Sequence, residues 1–299
     1  TDMRVYYQEV KQLLNNHIFD EDIALSTCMP FIQKQMLLDT QNERFYDRSL
    51  LIAEQRAARN LLRLALAGNR EMEPFRGELV EEAQKVCGIR YGRQQRKAFN
   101  KLLLTRGVKI LTGGPGTGKT STINGMLHAY EIMHPDHIIR LCAPTGRAAQ
   151  RMSESTGRTA VTIHRLLDYQ PDGLGANYRN EKNPVDADLV VVDEMSMADI
   201  RLFDMLLAAL KTGTKLILVG DVNQLESVGA GSVLNDLMGT SDLFIEKNRL
   251  TEVFRQKGGS PIIDNSQKIN EGNIHLHECE DFQIIHTKCE EETLEQTKI

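Results

Sequence analysis

The stretch Gly113-Gly114-Pro115-Gly116-Thr117-Gly118-Lys119-Thr120 has the spacing G-x-x-x-x-G-K-[ST], and its chemistry is that of holding phosphate. The glycines let backbone N–H groups turn inward onto an anion, Lys119 reaches the β and γ phosphates of a nucleoside triphosphate, and the Thr120 hydroxyl suits Mg2+. Ser121 continues the set into the following helix. Two acids, Asp193 and Glu194, end the apolar run Leu189-Val190-Val191-Val192. Such a pair can hold Mg2+ through water (Asp193) and orient and deprotonate an attacking water (Glu194). Gln224 follows a second such run, Lys215 to Asp221, and offers a neutral amide able to touch both γ phosphate and water. Arg255 suits a finger that neutralises transition-state charge; taken alone, an ordinary salt-bridge residue is the simpler reading. Upstream, the Gln95 amide presents a donor and an acceptor that match adenine N6 and N7, with Tyr91 available to stack on the ring. Without the rest of the pattern, those two residues are a polar helix start.

These residues need elements to hold them on one rim. Val108 to Thr112 reads as a buried strand and Ser121 to Met133 as a helix, which is the strand–loop–helix context a phosphate loop requires. His137 to Ala143, Leu189 to Val192 and Lys215 to Gly220 read as further strands, nearly continuous in apolar residues, as in a parallel sheet covered on both faces. In such a sheet, ligands meet the carboxyl ends of the strands. A surface loop is expected over residues 168–188 and a strand over Asn248 to Gln256. Ahead of all this the chain reads as helical: one helix through Ile23, Leu25 and Met29, a second through Ile32, Met36 and Leu37, and a third from Asp47 to Ala67 with a clear 3.6-residue apolar stripe. Arg48, Arg56, Arg59 and Arg63 on that third helix are either a solvated face or a nucleic-acid contact. Residues 256–299 read as a helix from Pro261 to Ile269 and short strand-like pieces. There His275, His277 and Cys279 alternate in a way that resembles metal-ligand spacing, but they supply only three ligands, and with Ile274 and Leu276 between them the alternation reads as an amphipathic strand.

A net charge of −5 and the absence of Trp give no global sign of a nucleic-acid partner, so any such sign must be local. It is: Arg140, Arg147, Arg151, Arg158 and Arg165 share their stretch with a single acid, Glu154. The five cysteines are scattered, without C-x-x-C, which suggests reduced thiols and a cytoplasmic setting. No apolar run approaches a membrane span.

In order along the chain, Gln95-Arg96-Lys97-Ala98, the phosphate loop, Ala143-Pro144-Thr145-Gly146-Arg147, Thr162-Ile163-His164-Arg165-Leu166-Leu167, Val192-Asp193-Glu194-Met195-Ser196-Met197, Gly220-Asp221-Val222-Asn223-Gln224-Leu225-Glu226-Ser227-Val228-Gly229 and Leu250-Thr251-Glu252-Val253-Phe254-Arg255-Gln256 resemble the RecD/TraA-type superfamily-one DNA helicases that move 5′ to 3′. The resemblance implies a RecA-like P-loop NTPase with a parallel α/β sheet, preceded by a small all-α domain. Residues 1–90 would be the helical accessory domain, 91–255 the first motor lobe and 256–299 the start of a truncated second lobe. ATP with Mg2+ would be hydrolysed to drive a single strand of DNA and unwind duplex, within repair or recombination. Gln95 would read adenine, Lys119 and Thr120 would bind phosphate and Mg2+, Gln224 would sense the γ phosphate, and Arg255 would be the finger. Pro144, Thr145 and Arg147 would lie on the DNA track, with His164 nearby. With half of its cleft missing, such a piece is expected to bind nucleotide weakly and not to unwind DNA by itself. Two other readings remain open: an ATP-switched subunit of a helicase–nuclease complex, and a P-loop NTPase with no DNA role.

Overall fold

The computed structural model describes residues 36–39, 44–67, 77–170, 178–240, 245–254, 261–270, 272–279 and 282–285. The described residues of Thr1–Gly114 and Gly118–Glu252 form one compact unit, and those of Pro115–Thr117 and Val253–Ile299 a second.

The first unit is built on a six-stranded parallel sheet. Its strands are β3 (Val108–Gly113), β4 (Ile139–Ala143), β5 (Ala160–Thr162), β6 (Leu189–Val192), β7 (Lys215–Gly220) and β8 (Glu246–Leu250). They lie in the order β5-β4-β6-β7-β3-β8. β3, β6 and β7 are buried along their whole length, as their unbroken apolar runs require when both faces are covered. Alternate residues feed two cores. Val108, Ile110, Val190, Val192, Leu216 and Leu218 face one, and Leu111, Leu189, Val191, Ile217 and Val219 face the other. The register sets Val192 beside both Cys142 and Leu218, and Thr112 beside both Gly220 and Arg249. The loops leaving β3, β4, β6 and β7 therefore emerge on one rim.

Helices α1 (Arg48–Ala67), α6 (Ile163–Leu166), α7 (Ile200–Ala208) and α8 (Val233–Gly239) cover the first face, while α2 (Gly77–Cys87), α3 (Arg93–Leu104), α4 (Lys119–Met133) and α5 (Gly146–Thr156) line the second. This differs from the expectation of a separate helical domain over residues 1–90. Ala57, Leu61, Leu64 and Ala65 of α1 share a core with the sheet, and Leu79, Val80 and Ala83 of α2 share the other. The 3.6-residue stripe of α1 was legible; its partner turns out to be α7 and the parallel sheet itself. Two of the arginines of α1 are engaged within the fold. Arg63 donates to the carbonyls of Leu207 (3.1 Å) and Leu210 (2.9 Å) at the end of α7 and to the Thr212 hydroxyl (2.8 Å), satisfying carbonyls that a helix end leaves open. Arg56 lies 3.5 Å from the buried Asp204 carboxylate. Asp47 caps α1, accepting from the N–H groups of Ser49 (2.8 Å) and Leu50 (3.1 Å).

Met36 and Leu37 were expected in a helix and lie in a strand. β1 (Met36–Asp39) pairs antiparallel with β2 (Arg44–Asp47), Met36 opposite Asp47 and Asp39 opposite Arg44. The β-prone Arg-Phe-Tyr run supplies a ladder partner that overrides a weak local helix preference. The helix expected through Ile23 to Met29 lies outside the described residues.

In the second unit, α9 (Pro261–Asn270) ends where Gly272, at φ 74°, and Asn273 donate back to the carbonyls of Ile269 and Lys268. That arrangement is a glycine C-cap. The fully buried Asn265 amide exchanges two hydrogen bonds with the His277 backbone, at 2.6 and 2.8 Å. Cys279 and Phe282 form a bridge. His275 and His277 belong to irregular chain rather than a strand, and among the described residues no group of three or more His, Cys, Asp or Glu is arranged to hold a metal ion. No described helix is long and apolar enough to cross a membrane.

Candidate active site

The phosphate loop leaves β3 between β7 and β8. Gly116 and Gly118 hold φ of 76° and 81°, a left-handed backbone that only glycine adopts without strain. α4 then begins at Lys119, where the Thr122 hydroxyl and N–H both donate to the Gly118 carbonyl at 2.9 Å. The Lys119 ammonium is folded back onto the loop, donating to the carbonyls of Gly113 and Gly114. An anion in the loop would draw that ammonium outward.

Asp193 and Glu194 follow β6. The Glu194 N–H donates to Asp193 Oδ1 at 2.9 Å, and the Asp193 N–H to the Cys142 carbonyl at 2.9 Å. Glu194 stands at φ 52°, one of two described non-glycine residues with positive φ. Such a conformation costs about 1–3 kcal/mol and tends to be kept at sites that use it. Burial pushes the Asp193 carboxyl above the usual carboxylate range, against the pull of the Glu194 N–H and the Lys119 charge. Glu194 is likewise raised, first by burial, then by the neighbouring charge of Asp193; Lys119 and Arg151 pull it back. Asp221, at the end of β7, adds a further upward push on Glu194. The two acids and the Lys119 ammonium thus share one electrostatic site.

Thr120 is exposed at the start of α4, and Asp193 keeps one carboxylate oxygen clear of its bond to Glu194. A hydroxyl and a carboxylate are hard oxygen donors of the kind Mg2+ takes, with water and phosphate oxygens completing the shell. Both residues fit that ion.

Gln224 is exposed on the loop after β7, in a turn closed by its N–H on the Asp221 carbonyl at 3.2 Å. Arg255 lies outside the described residues; in the second unit, the N–H of the preceding Phe254 donates to the Gly116 carbonyl at 3.0 Å.

Gln95 and Tyr91 are placed differently from the base-reading expectation. Gln95 is 1% exposed. Its Oε1 accepts from the Gly92 N–H at 3.0 Å, and its Nε2 reaches the Gly118 carbonyl at 3.5 Å. Its amide therefore closes the start of α3 against the phosphate loop. Tyr91 is buried against Phe99, and its hydroxyl donates to the Ser121 carbonyl at 3.0 Å; no face of the ring is left for a base. A short motif cannot distinguish an amide that reads a base from one that caps a helix, because both uses need the same donor and acceptor.

Of the residues expected on a DNA track, Pro144 and Thr145 join β4 to α5. Thr145 caps α5, accepting from the Ala148 N–H at 3.2 Å. Arg147 is exposed in the first turn. His164 is exposed on α6, its ring 5.8 Å from that of Tyr169. It opens on a cavity of about 400 Å3 shared with Arg56, Arg201 and Asp204, whereas Thr145 and Arg147 follow the end of β4. The basic stretch is thinner than its composition: Arg158 is bidentate on Glu131, at 2.7 and 2.7 Å, and also holds Asn124. Two site residues escaped sequence reasoning. Asp221, 2% exposed, was signalled by the Gly-Asp ending of its strand, which mirrors Asp193. Arg151 bears on Glu194 and had no signal beyond its charge.

A family model described as an AAA domain matches residues 95–230. The ATP-dependent RecD2 DNA helicase of Deinococcus radiodurans is 42% identical over 163 residues, covering 54% of this chain and 22% of that protein. The RecBCD enzyme subunit RecD of Mycolicibacterium smegmatis is 33% identical over 240 residues, covering 73% of this chain and 42% of that one. The RecBCD enzyme subunit RecD of Haemophilus influenzae is 36% identical over 171 residues, covering 48% of this chain and 27% of its relative. Among solved structures, the Pif1 helicase from Candida albicans aligns with a TM-score of 0.43 at 22% identity, over 62% of this chain and 45% of that one. The chain spans between 22% and 42% of the length of the three named relatives. The parallel sheet with its glycine-rich loop is that of a P-loop protein, and over part of its length the chain is similar to proteins named RecD and RecD2.

Proposed function

We propose that this chain is the ATP-hydrolysing lobe of a RecD-type DNA motor, in which hydrolysis moves a single strand 5′ to 3′ and opens duplex. The observation that supports it most is the meeting of Lys119, Asp193 and Glu194 in one electrostatic site at the carboxyl rim of the sheet. The loop amides and Lys119 bind and orient the β and γ phosphates. Mg2+, held by Thr120 and Asp193, would neutralise charge between those phosphates. Glu194 accepts the proton of the attacking water; its raised affinity for protons suits that role. Gln224 orients the same water and registers an intact γ phosphate, and Arg255 neutralises the charge that develops on it. Thr145 and Arg147 hold phosphates of the strand. The test is ATP hydrolysis with and without single-stranded DNA. Stimulation that is lost in Glu194→Gln supports the reading, whereas hydrolysis indifferent to DNA favours a P-loop NTPase with no DNA role.

A second reading rests on the relatives named as subunits of the RecBCD enzyme: the motor works inside a larger helicase–nuclease assembly. Glu194→Gln would then trap an ATP-bound state on protein partners rather than on DNA.

A further inference from the structure

Gln94, beside the residue expected to read the base, holds a different part of the chain. Its Oε1 accepts from the N–H groups of Thr251 (2.6 Å) and Glu252 (3.2 Å), and its Nε2 donates to the Thr251 hydroxyl at 2.7 Å. One side chain thereby satisfies the first two residues after β8, across 157 and 158 positions of sequence. At the other end of β8, Glu246 pairs with Lys101 near the end of α3. α3 thus splints β8 at both ends. The start of the same helix also touches the phosphate loop: Gln95 reaches the Gly118 carbonyl, and Tyr91 the Ser121 carbonyl. Glu252 is the last residue of the first unit, three positions before Arg255.

We propose that Gln94 is a positioning residue that couples nucleotide occupancy to the chain leaving β8. Phosphate binding fixes Gly118 and the first turn of α4. Gln95 and Tyr91 carry that order to the start of α3, and Gln94 passes it to Thr251 and Glu252. The backbone of Thr251 and Glu252 is thereby ordered when nucleotide is bound. The proposal rests on the nucleotide-binding reading of the phosphate loop. It differs from plain structural glue because the linked parts include the loop, whose order changes with its ligand.

The test is hydrogen exchange of the segment Glu246–Phe254, with and without a non-hydrolysable ATP analogue and Mg2+, alongside binding of a fluorescent ATP analogue. In the wild-type chain, nucleotide slows exchange of the Thr251 and Glu252 amides by about tenfold. Gln94→Leu, close in size but without the acceptor, abolishes that slowing while nucleotide affinity changes less than about threefold. Gln94→Glu keeps an acceptor for both N–H groups and restores the slowing. The coupling is overturned if nucleotide slows the two amides equally in Gln94→Leu, or if it leaves them unchanged in a wild-type chain that binds it. A wild-type chain that binds no nucleotide overturns the active-site reading instead, and the coupling with it.

Discussion

Glu194 combines a strained backbone with a carboxyl that holds its proton more tightly than usual. Its folded-state pKa is raised by burial and by the charges of Asp193 and Asp221. Between the ordinary carboxylate value of about 4.3 and that raised value, the folded chain binds more protons than the unfolded one. Stability therefore falls as pH rises through this window, and the full cost is present above it. Glu194→Gln removes the titration. The variant is expected to melt higher than wild type at pH 7–8, the difference vanishing as pH drops below about 4, while hydrolysis falls by about 10²–10⁴-fold. Melting curves across pH and a phosphate-release assay read the two effects separately. A variant less stable at pH 8 than wild type would contradict the assignment of burial as the cause. Lys119→Ala is expected to abolish nucleotide binding and to lower the melting temperature more at about pH 8 than at about pH 4, because the ammonium also offsets the buried Asp193 and Glu194 carboxylates.

At the scale of elements, the helix contacts decide which substitutions are tolerated. Gly125 lies on α4 where Tyr91 passes beneath it. A methyl group there would meet the Tyr91 hydroxyl at 2.0 Å and Ala83 at 3.0 Å. Gly125→Ala is expected to cost about 1–3 kcal/mol, read by denaturant unfolding, and Tyr91→Phe in the same chain should recover part of it. Arg63→Ala leaves the end of α7 uncapped; the loss of charge-assisted bonds to two carbonyls is expected to cost about 1.5–3 kcal/mol. An unchanged unfolding midpoint would mean that α1 is held on α7 by its apolar stripe alone. Gly229 is a second close approach, where an added Cβ would fall 2.2 Å from the Asp199 carboxylate that caps α7. A side chain there must shift the loop carrying Gln224.

For the whole molecule, the motor reading makes a claim about which surface meets DNA. Arg147, exposed after β4, should hold a phosphate if the motor reading is right. Arg147→Gln is then expected to weaken single-strand binding for all sequences alike and to lower the salt slope by about 1, as followed by fluorescence anisotropy. Arg158→Gln, bound to Glu131, should instead lower stability and leave the salt slope alone.

The linear chain determined the parts that depend on local chemistry: the phosphate loop, the buried strands that end in Asp193 and Asp221, and the amphipathic α1. Short-range spacing dictates these, since a glycine loop between strand and helix and an apolar run ended by an acid can be recognised one segment at a time. Tertiary structure alone decided what each surface faces. It packed α1 and α2 onto the sheet as layers, spent Arg63 and Arg158 on helix ends and ion pairs, buried Tyr91, and made Gln94 a clamp on residues 157 and 158 positions away. Polar side chains such as Arg and Gln carry the same donors whether they bind a ligand or a distant carbonyl. Only the packing of the sheet against its helices fixes which partner they find.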